Sequence, residues 1–156
     1  MKYMTTNEFA HFGFGEAHVG DIQLTDGFFR MELDNVMILP ENSCNRDIRT
    51  MRTNNLLFKV QGGKVESLIR EGVKIYDANG NFKEQTSDVA LPREEYKDAA
   101  EQIADGYIFS AEKEEADGAI RYTFLIDGTD DCTYCLKVDG SGDTEEWDRF
   151  MNPESM

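Results

Sequence analysis

The chain has 156 residues, 31 of them Asp or Glu against 16 Lys or Arg, and a formal net charge of −15. A single domain of this length buries roughly 70% of the surface its unfolded form exposes, so it needs neither a disulfide nor a metal to fold. The field of so acidic a protein repels phosphate backbones and anionic membrane surfaces, and no Lys/Arg cluster interleaved with aromatics reverses it locally, which argues against nucleic acid and membrane as partners.

Alternation of apolar and polar residues, the signature of a strand with one buried face, is the dominant pattern. Val19 to Leu24 reads as a first strand, and Thr25-Asp26-Gly27 as a hairpin turn. Phe29, Met31, Leu33, Met37 and Leu39 then share one parity, which predicts one long half-buried strand ending at Pro40. After a polar stretch, Leu56, Phe58 and Val60 alternate up to Gly62-Gly63, where a second hairpin is expected. Val65 to Tyr76 continues as strand and ends in Asn79-Gly80, a strong turn signal, before a short strand from Phe82.

One segment has helical period. Behind Pro92, Tyr96, Ala99, Ala100 and Ile103 recur at i, i+3, i+4 and i+7, and Gly106 follows as a C-cap, which predicts an amphipathic helix over about 93–104. Three alternating runs follow as a meander: Tyr107, Phe109 and Ala111; Ile120, Tyr122, Phe124 and Ile126; and Cys132, Tyr134, Leu136 and Val138. Asp143 and Glu146 stand at capping-box spacing before Trp147 and Phe150, which predicts a short C-terminal helix. The sum is one acidic β-rich domain over 1–156, an antiparallel β sandwich or barrel of about eight strands with one inserted helix and a short C-terminal one.

The motifs that could carry chemistry are few. Cys132-x-x-Cys135 has the spacing of a metal or redox pair, but alternation sends Cys132 to the face of Tyr134 and Leu136 and Cys135 to that of Thr133 and Lys137. The pair therefore predicts neither zinc nor a disulfide, and no metal or cofactor is expected. The glycines of Phe12-Gly-Phe-Gly-Glu-Ala-His18-Val-Gly20 miss the dinucleotide-binding spacing and read as strand bulges. A hydrolytic dyad would have to join Cys44 to His18, from distant parts of the chain. Asp77-x-Asn79-x-Asn81 and Asp139-x-Ser141-x-Asp143 begin like calcium loops but lack the glycine at position six. Arg46, Arg49 and Arg52, the one basic cluster, read as compensation for the acidic half.

That acidity is unevenly placed: residues 1–91 carry a net −3 and residues 92–156 a net −12. The longest apolar run, Val36 to Leu39, is far short of the ~20 residues a spanning helix needs, and no apolar run follows the first residues, so no signal peptide is expected. With an odd number of scattered cysteines, a cytoplasmic location is expected. The charge favours a small binding module, rather than an enzyme, that associates with a basic protein partner through its acidic surface. The alternative is a barrel or sandwich, possibly enzymatic, that holds a small apolar ligand, for which Phe12, Phe14, His18, Tyr107 and Trp147, with Phe28, are the candidate ligand-binding residues.

Overall fold

A computed structural model describes residues 1–152. In chain order its strands are β1 (Tyr3–Thr6), β2 (Phe12–Gly13), β3 (His18–Gln23), β4 (Arg30–Asp34), β5 (Val36–Ile38), β6 (Met51–Thr53), β7 (Leu56–Val60) and β8 (Lys64–Arg70). These are followed by β9 (Lys74–Tyr76), β10 (Phe82–Gln85) and β11 (Val89–Ala90), then helix α1 (Tyr96–Ile103), entered through a 3-10 turn at Arg93–Glu95. The last four are β12 (Tyr107–Ala116), β13 (Ala119–Asp127), β14 (Thr133–Gly140) and β15 (Asp143–Trp147). The architecture is mainly antiparallel β with one short helix, as the alternation predicts.

Ten strands form one antiparallel sheet in the order β1-β15-β7-β4-β3-β12-β13-β14-β8-β11, and β2-β5-β6 and β9-β10 form two small ones. The large sheet curls over on itself. β7 and β13 are separated by β4, β3 and β12 in the ladder, yet the Phe58 ring lies 5.9 Å from that of Tyr122 and 5.7 Å from that of Phe124. Phe9 fills the space between them, 6.0 Å from Phe58 and 5.4 Å from Tyr122. Each such ring, once buried, contributes about 1.5–3 kcal/mol of transfer free energy, so this aromatic layer favours the folded-over sheet.

The meander over β12, β13 and β14 forms as the sequence predicts, with Gly118 at φ 81° in its first turn. The turn at Gly27, φ 81°, joins β3 to β4, and that at Gly80, φ 83°, joins β9 to β10. Glycine alone adopts these values without steric cost.

Five expectations are corrected. The long strand from Phe29 to Leu39 breaks at Asn35, whose φ of 60° shifts the alternation by one residue: Met31 and Leu33 are buried before it, Val36 and Ile38 after it, and Met37 is not. β4 thus stays in the large sheet while β5 enters a small one. The stretch from Val65 to Tyr76 also divides, into β8 and β9, which join different sheets. The hairpin at Gly62-Gly63 does not form, because β7 pairs with β4 and β15 whereas β8 pairs with β14 and β11. On β12 a register irregularity between Ile108 and Ser110 leaves Ile108 buried and both Tyr107 and Phe109 exposed. Finally, the C-terminal helix is replaced by β15: Asp143, Glu145 and Trp147 alternate inward, and the strand pairs with β1 and β7. Capping-box spacing coincided there with strand parity, and pairing on both sides of β15 decides in favour of the strand.

Candidate functional site

Phe12, Phe14 and Trp147 belong to one aromatic cluster of the core, with centroid separations of 5.8 Å for Phe12–Phe14 and 5.6 Å for Phe12–Trp147. His18 and Tyr107 do meet. They are register partners across β3 and β12 with ring centroids 5.3 Å apart, and His18 is bracketed by Asp34 at 3.3 Å and Asp105 at 3.2 Å. The Cys44 thiol lies instead 3.9 Å from the Met4 carbonyl oxygen, on the loop between β5 and β6. Phe28 is 70% exposed.

Cys132 packs against the edge of the core, while Cys135 falls on the face of Thr133 and Lys137. Burial holds both thiols above the usual cysteine range. Gly20 sits at a register shift between Val19 and Asp21, the bulge that its sequence predicts. Asp77 spends its Oδ1 on the N–H groups of Asn79 and Asn81, closing its own turn. Among the described residues, no three His, Cys, Asp or Glu side chains are arranged to hold a metal ion. The basic cluster is dispersed: Arg49 lies 3.5 Å from Asp47, whereas Arg52 is buried.

Part of the acidic C-terminal half comes together beside α1. The N–H of Thr129 donates to the carbonyl of Gln102 at 2.8 Å, and its hydroxyl lies 3.2 Å from the same oxygen, which pins the 127–131 loop to the last turn of the helix. Asp130 is fixed in turn, accepting from the Tyr134 hydroxyl at 2.7 Å and the Cys132 N–H at 3.1 Å. Burial, reinforced by that carboxylate, pushes the Tyr134 hydroxyl up to about 12, so it remains a donor. The result is a hollow of about 300 Å³ in which Glu95, Asp98 and Asp130 face a single cation, Arg70.

A second polar constellation, absent from the sequence reading, lies inside the core. Asp143 and Glu145 on β15 are both fully buried. Asp143 accepts from the Tyr122 hydroxyl at 2.6 Å, Lys113 Nζ at 2.9 Å and the Phe9 N–H at 3.1 Å. Thr5 donates to Glu145 Oε1 at 2.8 Å, but among the described residues no donor reaches Oε2. A carboxyl so buried and so placed beside Asp143 favours its protonated form, which can hydrogen-bond to the neighbouring carboxylate. Burial first, and then Asp143, raise the Glu145 carboxyl far above its ordinary range. Burial opposes ionisation of Asp143 as well, but hydrogen bonds from Glu145, Tyr122 and Lys113 outweigh it and hold that carboxyl low. The signal available in the sequence was the i, i+2 parity of Asp143, Glu145 and Trp147, with both acids on the tryptophan's face.

No family model matches the chain, and no curated protein and no solved structure shows significant similarity to it.

Proposed function

We propose that the protein is a small binding module that associates with a basic protein partner through the acidic face built by α1 and the 127–131 loop. The observation that supports this reading is the joining of two acidic segments, 94–101 and 127–131, by the hydrogen bonds between Thr129 and Gln102. Two exposed acidic stretches serving solubility alone need not converge. Converged, they produce a potential that accelerates encounter with a cationic surface and rejects anionic ones. Arg70 and Lys97 set register in such a contact by pairing with the partner's own acids.

No helix of the described residues is long and apolar enough to cross a membrane. The three free thiols fit a reducing compartment, and this reading places the protein in the cytoplasm.

The test is capture of partners from the native host at about 0.05 M salt, where charges act over some 14 Å, followed by a step to about 0.5 M, where they act over some 4 Å. A basic polypeptide retained at the first concentration and released at the second is the expected result. A variant carrying Glu95→Gln, Asp98→Asn and Glu101→Gln should retain much less of it. Retention insensitive to both salt and substitution would remove the proposal.

A further inference from the structure

On the outer face of the large sheet, four side chains stand in one row across four strands. Gln23 of β3 is the register partner of Arg30 on β4, Arg30 of Lys59 on β7, and Lys59 of Thr144 on β15. Arg30 and Lys59, two cations directly opposite one another, repel across the roughly 5 Å between their Cβ atoms. The row opens into a hollow of about 430 Å³, floored by Phe29 and Val60 and flanked by Phe28, whose ring is 70% exposed. The 27–28 and 61–63 turns form its end wall, tied together by the Gly27 N–H donating to the Gly63 carbonyl at 2.6 Å.

In a chain of net charge −15, the lining of this hollow contains Arg30 and Lys59 but no Asp or Glu. The carboxylates nearest the two cations stand outside it: Glu32 and Asp21 at 3.5 and 3.7 Å from Arg30, and Glu146 at 3.1 Å from Lys59. Gln23 accepts from Arg30 Nε at 3.0 Å and thereby orients the guanidinium, leaving its terminal nitrogens only the two longer contacts. Gln61, 3.4 Å from the Thr144 hydroxyl, adds an amide at the far end.

We propose that this hollow binds a small organic anion with a flat apolar body, its carboxylate or sulfonate between Arg30 and Lys59 and its body against Phe28. Each part of that ligand answers a feature of the site. The anion adds charge-assisted hydrogen bonds to the two cations from the hollow, and the ring covers an aromatic face otherwise left to water. The volume lies within the range of ordinary small-molecule sites. Glu32, Asp21 and Glu146 compete for the two cations, but none of them lines the hollow, so a ligand anion approaches Arg30 and Lys59 from the side that carries no carboxylate. The site is separate from the acidic face, and neither reading depends on the other.

The probes are 8-anilino-1-naphthalenesulfonate, followed by its fluorescence, and 1-naphthoate, followed by calorimetry. One equivalent of each should bind, with each displacing the other, and the neutral 1-naphthalenemethanol should bind at least about tenfold more weakly. The Arg30→Gln/Lys59→Gln variant should lose about tenfold or more in affinity for both anions, and Phe28→Ala a smaller factor. All three positions lie on the surface, and circular dichroism checks that the variants fold. Anion affinities unchanged in the double variant, equal affinity for the neutral alcohol, or no binding of 1-naphthoate at millimolar concentration would each overturn the assignment.

Discussion

Asp143 and Glu145 stand two residues apart on the buried face of β15, neither exposed to solvent, and their carboxyls are pushed in opposite directions, Asp143 down and Glu145 up. The two titrations act on stability in opposite directions and at opposite ends of the pH range.

For Glu145, whose folded pKa lies above its unfolded one, stabilisation is complete below the ordinary carboxyl range and falls by about 1.4 kcal/mol per pH unit as pH rises above it. At neutral pH the native state therefore carries a penalty that an amide does not. Glu145→Gln keeps the shape, accepts from Thr5 and donates to Asp143. It should be more stable than the parent by about 1–3 kcal/mol at pH 7.5 and nearly equal to it at pH 4. Urea unfolding at the two pH values measures this, and a variant less stable at both would contradict the upward shift of the Glu145 carboxyl.

Asp143 behaves oppositely: its folded pKa is depressed, so its contribution is present above the ordinary carboxyl range and disappears as pH falls through the depressed value. Asp143→Ala deprives the Lys113 ammonium and the Tyr122 hydroxyl of their acceptor. A loss of about 3–5 kcal/mol is expected at pH 7. Adding Lys113→Met to that variant should recover part of it, because the ammonium then no longer stands unpaired. Equal stability of the single and double variants would show that Lys113 escapes to water at no cost.

Gly140 of β14 marks a close approach to the end of β7. A methyl group built there would overlap Val60 Cγ1 and stand 2.7 Å from the Gln61 carbonyl oxygen. Backbone and a branched side chain cannot both yield, so Gly140→Ala should destabilise by about 1–3 kcal/mol. By contrast nothing lies within 4 Å at Gly62, where only the φ of 62° opposes a side chain. Asn, which tolerates that conformation, should be accepted at 62 with a smaller loss. Thermal melts of the two variants compare the mechanisms directly, and equal losses would contradict the close approach at 140.

Burial and opposite facing predict how the two close cysteines behave. Cys132 and Cys135 should react with a disulfide reagent at pH 7.5 several-fold more slowly in the folded protein than in urea, because burial suppresses the thiolate. One equivalent of zinc should give neither thiol further protection. Joint protection of both by zinc would mean that the strand opens into a turn at Thr133.

Sequence by itself determined the elements whose cause is local. The meander of β12, β13 and β14 was legible because period-2 alternation and the glycine at 118 act between neighbours in the chain. The helix was legible from Tyr96, Ala99 and Ile103, whose spacing needs no partner to be recognised. The opposite facing of Cys132 and Cys135 follows from the same parity. Tertiary structure decided whatever depends on which strand lies beside which. The φ of 60° at Asn35 reversed the alternation without a sequence signal stronger than an asparagine. β15 is a strand because β1 and β7 flank it, although its acids were equally compatible with a capped helix. Glu145 is buried for that reason, and Arg30 meets Lys59 through a pairing between strands whose nearest ends are more than twenty residues apart. Pairing over such distances depends on complementary faces across the whole sheet, and a one-dimensional pattern specifies the faces but not their partners.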